Sequence, residues 1–164
     1  TVGIVGLGAI GREVAKKLQG FDVKILAYDV YYDEEFVNKY HIEKTSLEDL
    51  IKNSDVITLH APAIGDKPLL GEKEFSEMKD RVVIVNAARA SLIDTDALLK
   101  ALDSGKVFAT GLDVHEHEPE YDERFFKYDN VILTPHNAAI TREATDKTSM
   151  MAVDHILEYF AKEK

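Results

Sequence analysis

An α/β fold, built on a doubly wound and mostly parallel sheet of about seven strands with helices on both faces, is predicted from three observations. Short β-branched runs alternate with amphipathic stretches from one end of the chain to the other. The first apolar run passes directly into a glycine-rich segment, Gly6-Leu7-Gly8-Ala9-Ile10-Gly11, that opens a helix. No internal repeat or low-complexity segment interrupts the alternation, and 164 residues with 45% apolar side chains suit one domain spanning 1–164.

The elements follow in order. Val2 to Val5 is the first strand, and Ala9 to Gln19 the helix that the glycines open. Val23 to Tyr28 forms the second strand, Glu34 to Tyr40 the second helix, and a short weak strand falls near Ile42. Ser46 with Asp49 three residues on has the form of a capping box and starts a helix from Ser46 to Asn53. Asp55 to Leu59, Val82 to Asn86, Val107 to Val114 and Val131 to Thr134 complete the strands. Helices at Glu72 to Met78 and Asp94 to Ser104 lie between them, the latter followed by Gly105 as a C-cap glycine. After Thr141 a longer helix runs to about Phe160, with Ala144, Thr148, Met151, Ile156 and Tyr159 or Phe160 as an apolar stripe expected to be core or interface. Ala61 to Gly71 and His115 to Asn130 are the long irregular connections.

Composition removes several function classes. Cysteine is absent, so neither disulfides nor thiolate catalysis is available, and the expected location is the cytoplasm. With 20 Lys and Arg against 30 Asp and Glu, the formal net charge of -10 disfavours nucleic acid and anionic membrane surfaces as partners. No membrane span or signal peptide is recognisable. The chain opens at Thr1, directly inside the first strand, and is expected to be a fragment of a longer protein.

The glycine segment follows a strand and opens a helix, the setting of a phosphate-binding turn of the Rossmann type. Gly6 permits the tight turn, Gly8 lets backbone amides reach a pyrophosphate, and Gly11 allows helix and strand to pack closely. Ala9 and Ile10 complete the turn, whose helix N-terminus offers N–H groups and partial positive charge to the anion. Asp29 ends the second strand roughly 20 residues further on, where an acid chelates the adenosine ribose. By itself Asp29 would pass for a solvated turn residue; with the glycines the ribose role is favoured. Val30, Tyr31 and Tyr32 supply no cation for a 2′-phosphate, so NAD is expected over NADP.

Ligands of such sheets lie beyond the carboxyl ends of the strands. Those ends carry Leu59-His60-Ala61-Pro62, Asn86-Ala87-Ala88-Arg89, Asp113, and Thr134-Pro135-His136. A proton-exchanging His, an anion-binding Arg and a carboxylate form an inventory suited to carbonyl reduction. Such a reaction needs hydride at carbon, a proton for oxygen, and a clamp for a neighbouring carboxylate. Arg89 suits the clamp because its planar fork binds a carboxylate bidentately. His136 suits proton exchange near neutral pH.

At these residues the chain resembles the D-isomer-specific 2-hydroxyacid dehydrogenase family across essentially its whole length. The carrying stretches are Val5 to Gly11, Leu59-His60-Ala61-Pro62, Asn86-Ala87-Ala88-Arg89, Gly111-Leu112-Asp113-Val114 with Glu118-Pro119, and Asn130-Val131 through Thr134-Pro135-His136. The resemblance implies that Arg89 holds the substrate carboxylate, His136 is the acid/base, Glu118 pairs with His136, and Asp113 contacts the nicotinamide carboxamide. It implies an oxidoreductase that moves a hydride between NAD(H) and a small 2-hydroxy or 2-keto acid. His60, Ala61, Pro62, Ala87 and His136 are expected to border the cofactor, and Asn86 to fix the turn beneath it. The resemblance further implies a homodimer and a substrate domain, whose N-terminal segment the chain lacks, so the isolated domain is expected to be inactive. Ala90 departs from the glycine usual after the arginine, and Ala138-Ala139 from the Gly-Gly common in the phosphoglycerate branch.

Bland readings stand beside these: Arg89 as a surface ion-pair partner, His136 as a helix-entry residue, Glu118 as one acid of a solvated loop. Their joint placement after the last three strands favours the functional reading. Glu116 competes with Glu118 as partner of His136. The run His115-Glu116-His117-Glu118 resembles a metal cluster, but alternating residues in an acidic loop make a poor tetrahedral site, and no metal is expected. An NAD-sensing or co-repressor-like module without turnover is the alternative; a generic sensor would need the glycines and Asp29 but not Arg89, Glu118 and His136.

Overall fold

In the computed structural model, which describes all residues except Ile64, Asp66, Glu163 and Lys164, seven parallel strands form one sheet in the order β3-β2-β1-β4-β5-β6-β7. The strands are β1 (Val2–Val5), β2 (Ile25–Tyr28), β3 (Glu43–Lys44), β4 (Val56–Leu59), β5 (Val82–Asn86), β6 (Val107–Leu112) and β7 (Val131–Leu133). Crossover helices are α1 (Ala9–Leu18), α2 (Glu34–Lys39), α3 (Leu47–Asn53), α4 (Glu72–Glu77) and α5 (Thr95–Asp103), and α6 (Arg142–Lys162) follows β7. Strand order reverses between β1 and β4, which opens a crevice at their carboxyl ends.

Alternation along the strands divides the apolar side chains between two cores. Ile4, Ile25 and Ala27 meet Leu7, Ala15 of α1 and Val37 of α2 in the smaller core. Val5, Leu26, Ile57, Leu59, Val82 and Ile84 meet α3, α4 and α5 through Leu50, Phe75 and Leu98 in the larger one. Side-chain caps set the helix starts: Asp33 accepts from Phe36 N–H, Ser46 from Asp49 N–H and Asp94 from Ala97 N–H. Gly105 takes φ +75° after α5, as a C-cap glycine does.

Several boundaries and one burial expectation differ from the sequence reading. β2 begins only at Ile25, because Asp22 adopts a left-handed conformation and turns the chain there. β3 is reduced to two exposed residues. The apolar stripe of the last helix is not core: none of the described residues of α6 is buried, and Ile156 and Phe160 are 57% and 60% exposed. On β5 the face turned away from α5 is only half covered, at Val83 and Val85. The predicted irregular connection 61–71 includes positions 64 and 66, which lie outside the described residues.

Candidate functional site

The glycine turn owes its shape to contacts that exclude side chains. Gly6 has φ +94°, and a Cβ there would stand 2.6 Å from the Ala61 amide nitrogen; one on Gly11 would stand 2.0 Å from the Gly6 carbonyl oxygen. A Cβ on Gly8 would meet nothing within 4 Å, so the space above this helix start is open. Gly8 caps α1 without a side-chain hydrogen bond, and the first turn holds no acid. The amides of Ala9 and Ile10 at this end, with Ile10 exposed, are therefore available to an anion.

Asp29 leans back over the turn. Its Oδ2 accepts from Leu7 N–H at 2.5 Å and its Oδ1 from Tyr31 N–H at 3.2 Å. Gly6, Gly8, Asp29, His60, Ala61 and Pro62 line one cavity of about 280 Å³, floored by Tyr28 and Leu92. This volume and apolar lining suit an adenosine moiety with the acid at its ribose edge. Burial pushes the His60 imidazole below its ordinary pKa, and its Nε2 lies 2.9 Å from Thr58 Oγ1. His60 is thus a neutral wall of the cavity at neutral pH.

Sequence reasoning missed Arg12. Its Nε donates to the Leu7 carbonyl at 3.1 Å, its Nη1 to Asp33 at 2.9 Å, and its guanidinium lies 5.4 Å from the Phe36 ring centroid. It joins the glycine turn to the start of α2. An arginine directly after the third glycine, with an acid capping the next helix, is the signal that would have found it.

Asn86, 2% exposed, closes the turn after β5: its Nδ2 donates to the Arg89 carbonyl at 2.9 Å and its Oδ1 accepts from Ala88 N–H at 3.0 Å. Ala87 lies within this turn, and Arg89 is exposed at its end, its Nη1 donating to the Ala88 carbonyl at 2.6 Å. Asp113 follows β6 and is 6% exposed. Its carboxylate accepts from Thr134 Oγ1 at 2.5 Å, Asn137 N–H at 3.0 Å and Ala138 N–H at 2.9 Å. Burial raises the Asp113 pKa, but the Thr134 hydroxyl and the Ala138 and Asn137 amides outweigh it, leaving the carboxyl below its ordinary value. Three of its acceptor sites go to the chain around His136, so Asp113 binds that segment whatever else it contacts.

His136 has φ +51°. Its Nδ1–H donates to Glu118 at 2.8 Å (Oε2) and 3.0 Å (Oε1), which leaves Nε2 to exchange a proton. His136, then the His115 N–H, hold the Glu118 carboxyl below its ordinary pKa against a smaller effect of burial. Glu116 instead accepts from Thr95 Oγ1 at 3.3 Å, so the acid beside His136 is Glu118. Among the described residues no group of three His, Asp or Glu side chains is arranged to hold a metal ion, and no helix is long and apolar enough to cross a membrane.

The structure thus gathers Gly6, Gly8, Asp29, His60, Ala61 and Pro62 in one cavity. Glu118, His136 and Asp113 form a second cluster, and Arg89 leaves the same edge of the parallel sheet after β5. Comparison with known proteins identifies the family. D-3-phosphoglycerate dehydrogenase of Archaeoglobus fulgidus is 41% identical over 159 residues, 96% of this chain and 30% of its own length. Hydroxypyruvate reductase of Thermotoga maritima is 41% identical over 162 residues, 96% of this chain and 52% of its own. The NAD-complexed D-isomer specific 2-hydroxyacid dehydrogenase of Lactobacillus delbrueckii ssp. bulgaricus superposes with a TM-score of 0.88 at 31% identity, covering 98% of this chain and 53% of that one. The chain spans about half or less of the length of these relatives. The family described as D-isomer specific 2-hydroxyacid dehydrogenase, NAD binding domain, matches residues 1–138; the chain belongs to this family, as its NAD-binding domain.

Proposed function

We propose that this domain serves an enzyme that transfers a hydride between NAD(H) and a small 2-hydroxy or 2-keto acid. The observation that carries the proposal is the Glu118–His136 pair, bonded at 2.8 Å and set on the same sheet edge as the glycine turn. The turn fits a dinucleotide because Gly8 opens onto empty space and the start of α1 is free of acids. Bound there, NAD supplies or accepts the hydride. Gly6, Gly8, Ala9, Ile10 and Gly11 form the turn that receives the pyrophosphate, Asp29 takes the ribose, and His60, Ala61 and Pro62 border the cofactor. Ala87 and Asp113 border the nicotinamide end. Arg89 clamps the substrate carboxylate, and His136 delivers the proton from Nε2 while Glu118 holds the ring through Nδ1–H.

The reaction requires the remainder of the polypeptide, a substrate domain that closes over Arg89 and His136 and excludes water. Association into a homodimer and a cytoplasmic location belong to the same proposal, and sedimentation and cell fractionation check them. The test of function is the complete polypeptide with NADH and a panel of glyoxylate, hydroxypyruvate and pyruvate. Turnover is expected with at least one, falling on the order of 100-fold or more in His136→Ala. Absence of turnover with every acid, or a His136→Ala variant of full activity, refutes the proposal.

A further inference from the structure

His115 lies two residues beyond Asp113, half-buried, and the assigned site uses its main-chain N–H but not its ring. Its main-chain N–H donates to Glu118 Oε1 at 3.0 Å, and its ring Nε2 lies 2.8 Å from the Thr134 carbonyl oxygen. A carbonyl only accepts, so the ring proton sits on Nε2 and is donated to Thr134. The same carbonyl accepts from His136 N–H at 2.9 Å, and His136 Nδ1–H returns to Glu118. The bonds form a closed circuit that leaves His115 through its ring and comes back through its main chain. Tyr121 packs edge-on against the ring, with centroids 4.6 Å apart, and fixes its plane.

The circuit joins two segments with no ladder bonds between them: the connection that carries Glu118 and the turn that carries His136. That turn holds His136 at φ +51°, a conformation disfavoured for a residue with a side chain, so outside contacts must maintain it. Asp113 supplies them on one side, through Thr134, Asn137 and Ala138; His115 supplies them on the other. We propose that His115 is a positioning residue, whose ring and main chain together set the separation between Glu118 and His136. This deepens the reading of that pair as the acid/base and rests on it. A phenylalanine in its place would fill the same space against Tyr121 and leave the Thr134 carbonyl without its second donor. The titratable groups facing this circuit are Glu118, His136 and Tyr121, with Asp113 behind Thr134 and Glu116 turned toward Thr95.

The test follows the Glu118 carboxyl carbon of the domain by NMR through an acid titration, where a well-set pair keeps the midpoint low. His136→Ala must move the midpoint upward; if it does not, the pair is uncoupled and the reading of the site itself fails. With that established, His115→Phe is expected to raise the midpoint by about half a pH unit or more. His115→Gln, whose uncharged amide reaches as far as the imidazole Nε2 and donates in its place, is expected to stay within about 0.2 units of the parent. His115→Met, which cannot donate, is expected to behave as phenylalanine does and serves if the phenylalanine variant does not fold. An unmoved midpoint in the non-donating variants overturns the proposal. So does an equal rise in His115→Gln, which would assign the effect to ring charge rather than to the tether.

Discussion

Replacing Gly11 with alanine tests whether the close approach of α1 to β1 sustains both stability and cofactor affinity. The new Cβ would lie 2.0 Å from the Gly6 carbonyl oxygen, 3.1 Å from the Gly6 carbonyl carbon and 3.3 Å from Ile4 Cγ2. Two of the three neighbours are backbone, so no side chain can swing away, and α1 must lift by about 1 Å to restore ordinary contact. Such overpacking costs about 1 to 3 kcal/mol, which for a domain of this size lowers the thermal midpoint by about 3 to 10 °C. Lifting the helix start also draws its amides from the pyrophosphate. Weakening one charge-assisted hydrogen bond by about 1.5 to 3 kcal/mol reduces NAD affinity about tenfold to a hundredfold. Gly8→Ala is the control. Its Cβ meets no protein atom, so the midpoint should stay while NAD affinity falls, because the methyl enters the anion's space. Scanning calorimetry and isothermal titration with NAD read both quantities. A Gly11→Ala domain of unchanged midpoint, or a Gly8→Ala domain as destabilised as Gly11→Ala, would refute the reasoning.

Three further outcomes are expected. Asp29→Ala should bring NAD and NADP affinities together, since the carboxylate that repels a 2′-phosphate is gone, and titration calorimetry showing an unchanged ratio would contradict this. Asn86→Ala removes both side-chain bonds that close the turn before Arg89 and leaves the partly buried Ala88 N–H and Arg89 carbonyl short of partners, costing about 1 kcal/mol in denaturant unfolding. Asp113 has a folded-state pKa below its ordinary value, so its contribution is present above the unfolded pKa and lost as pH falls through the folded one. Protection of the Asn137 and Ala138 amides, taken relative to intrinsic exchange at each pH, should therefore fall under acid conditions, and at a higher pH in Thr134→Val; protection that stays flat down to the folded pKa would count against it.

The strands were legible wherever an apolar run coincided with burial on the sheet, as at Val2–Val5 and Val82–Asn86. β3 carries no such signal, because Glu43 and Lys44 are exposed and only their backbone pairs with β2. The short 3-10 helix Glu123–Lys127 was hidden inside a predicted loop, where its single buried side chain, Phe125, sets no period. In α6 apolar residues recur at helical spacing, yet a stripe says only what could be covered, and nothing described covers it. The glycines, Asp29 and His136 were legible because their chemistry is tied to strand ends, whereas Glu118, in the loop after β6, was set above Glu116 only by the family resemblance. His115 was not, since the run His115-Glu116-His117-Glu118 has the look of a metal pattern, while the ring's partner is a main-chain carbonyl on a different strand end. Main-chain partners leave no trace in side-chain composition.

The division of the apolar interior into two cores has a consequence for how the domain opens. Among the described residues the α1–α2 side buries seven hydrophobic side chains in its cluster, against twenty-one on the α3–α5 side, so resistance to sub-global opening is unequal across the sheet. The edge formed by β2, β3 and α2 rests on the smaller cluster through Ile25, Ala27 and Val37 and is expected to open first; β2 leads into Asp29, whose bond to Leu7 reaches across to the glycine turn. A dinucleotide laid across that bond binds only when the edge is closed, and so its binding energy suppresses the opening of that unit before any other. The part of the domain with the smaller buried cluster is thereby the part whose opening a bound nucleotide opposes most.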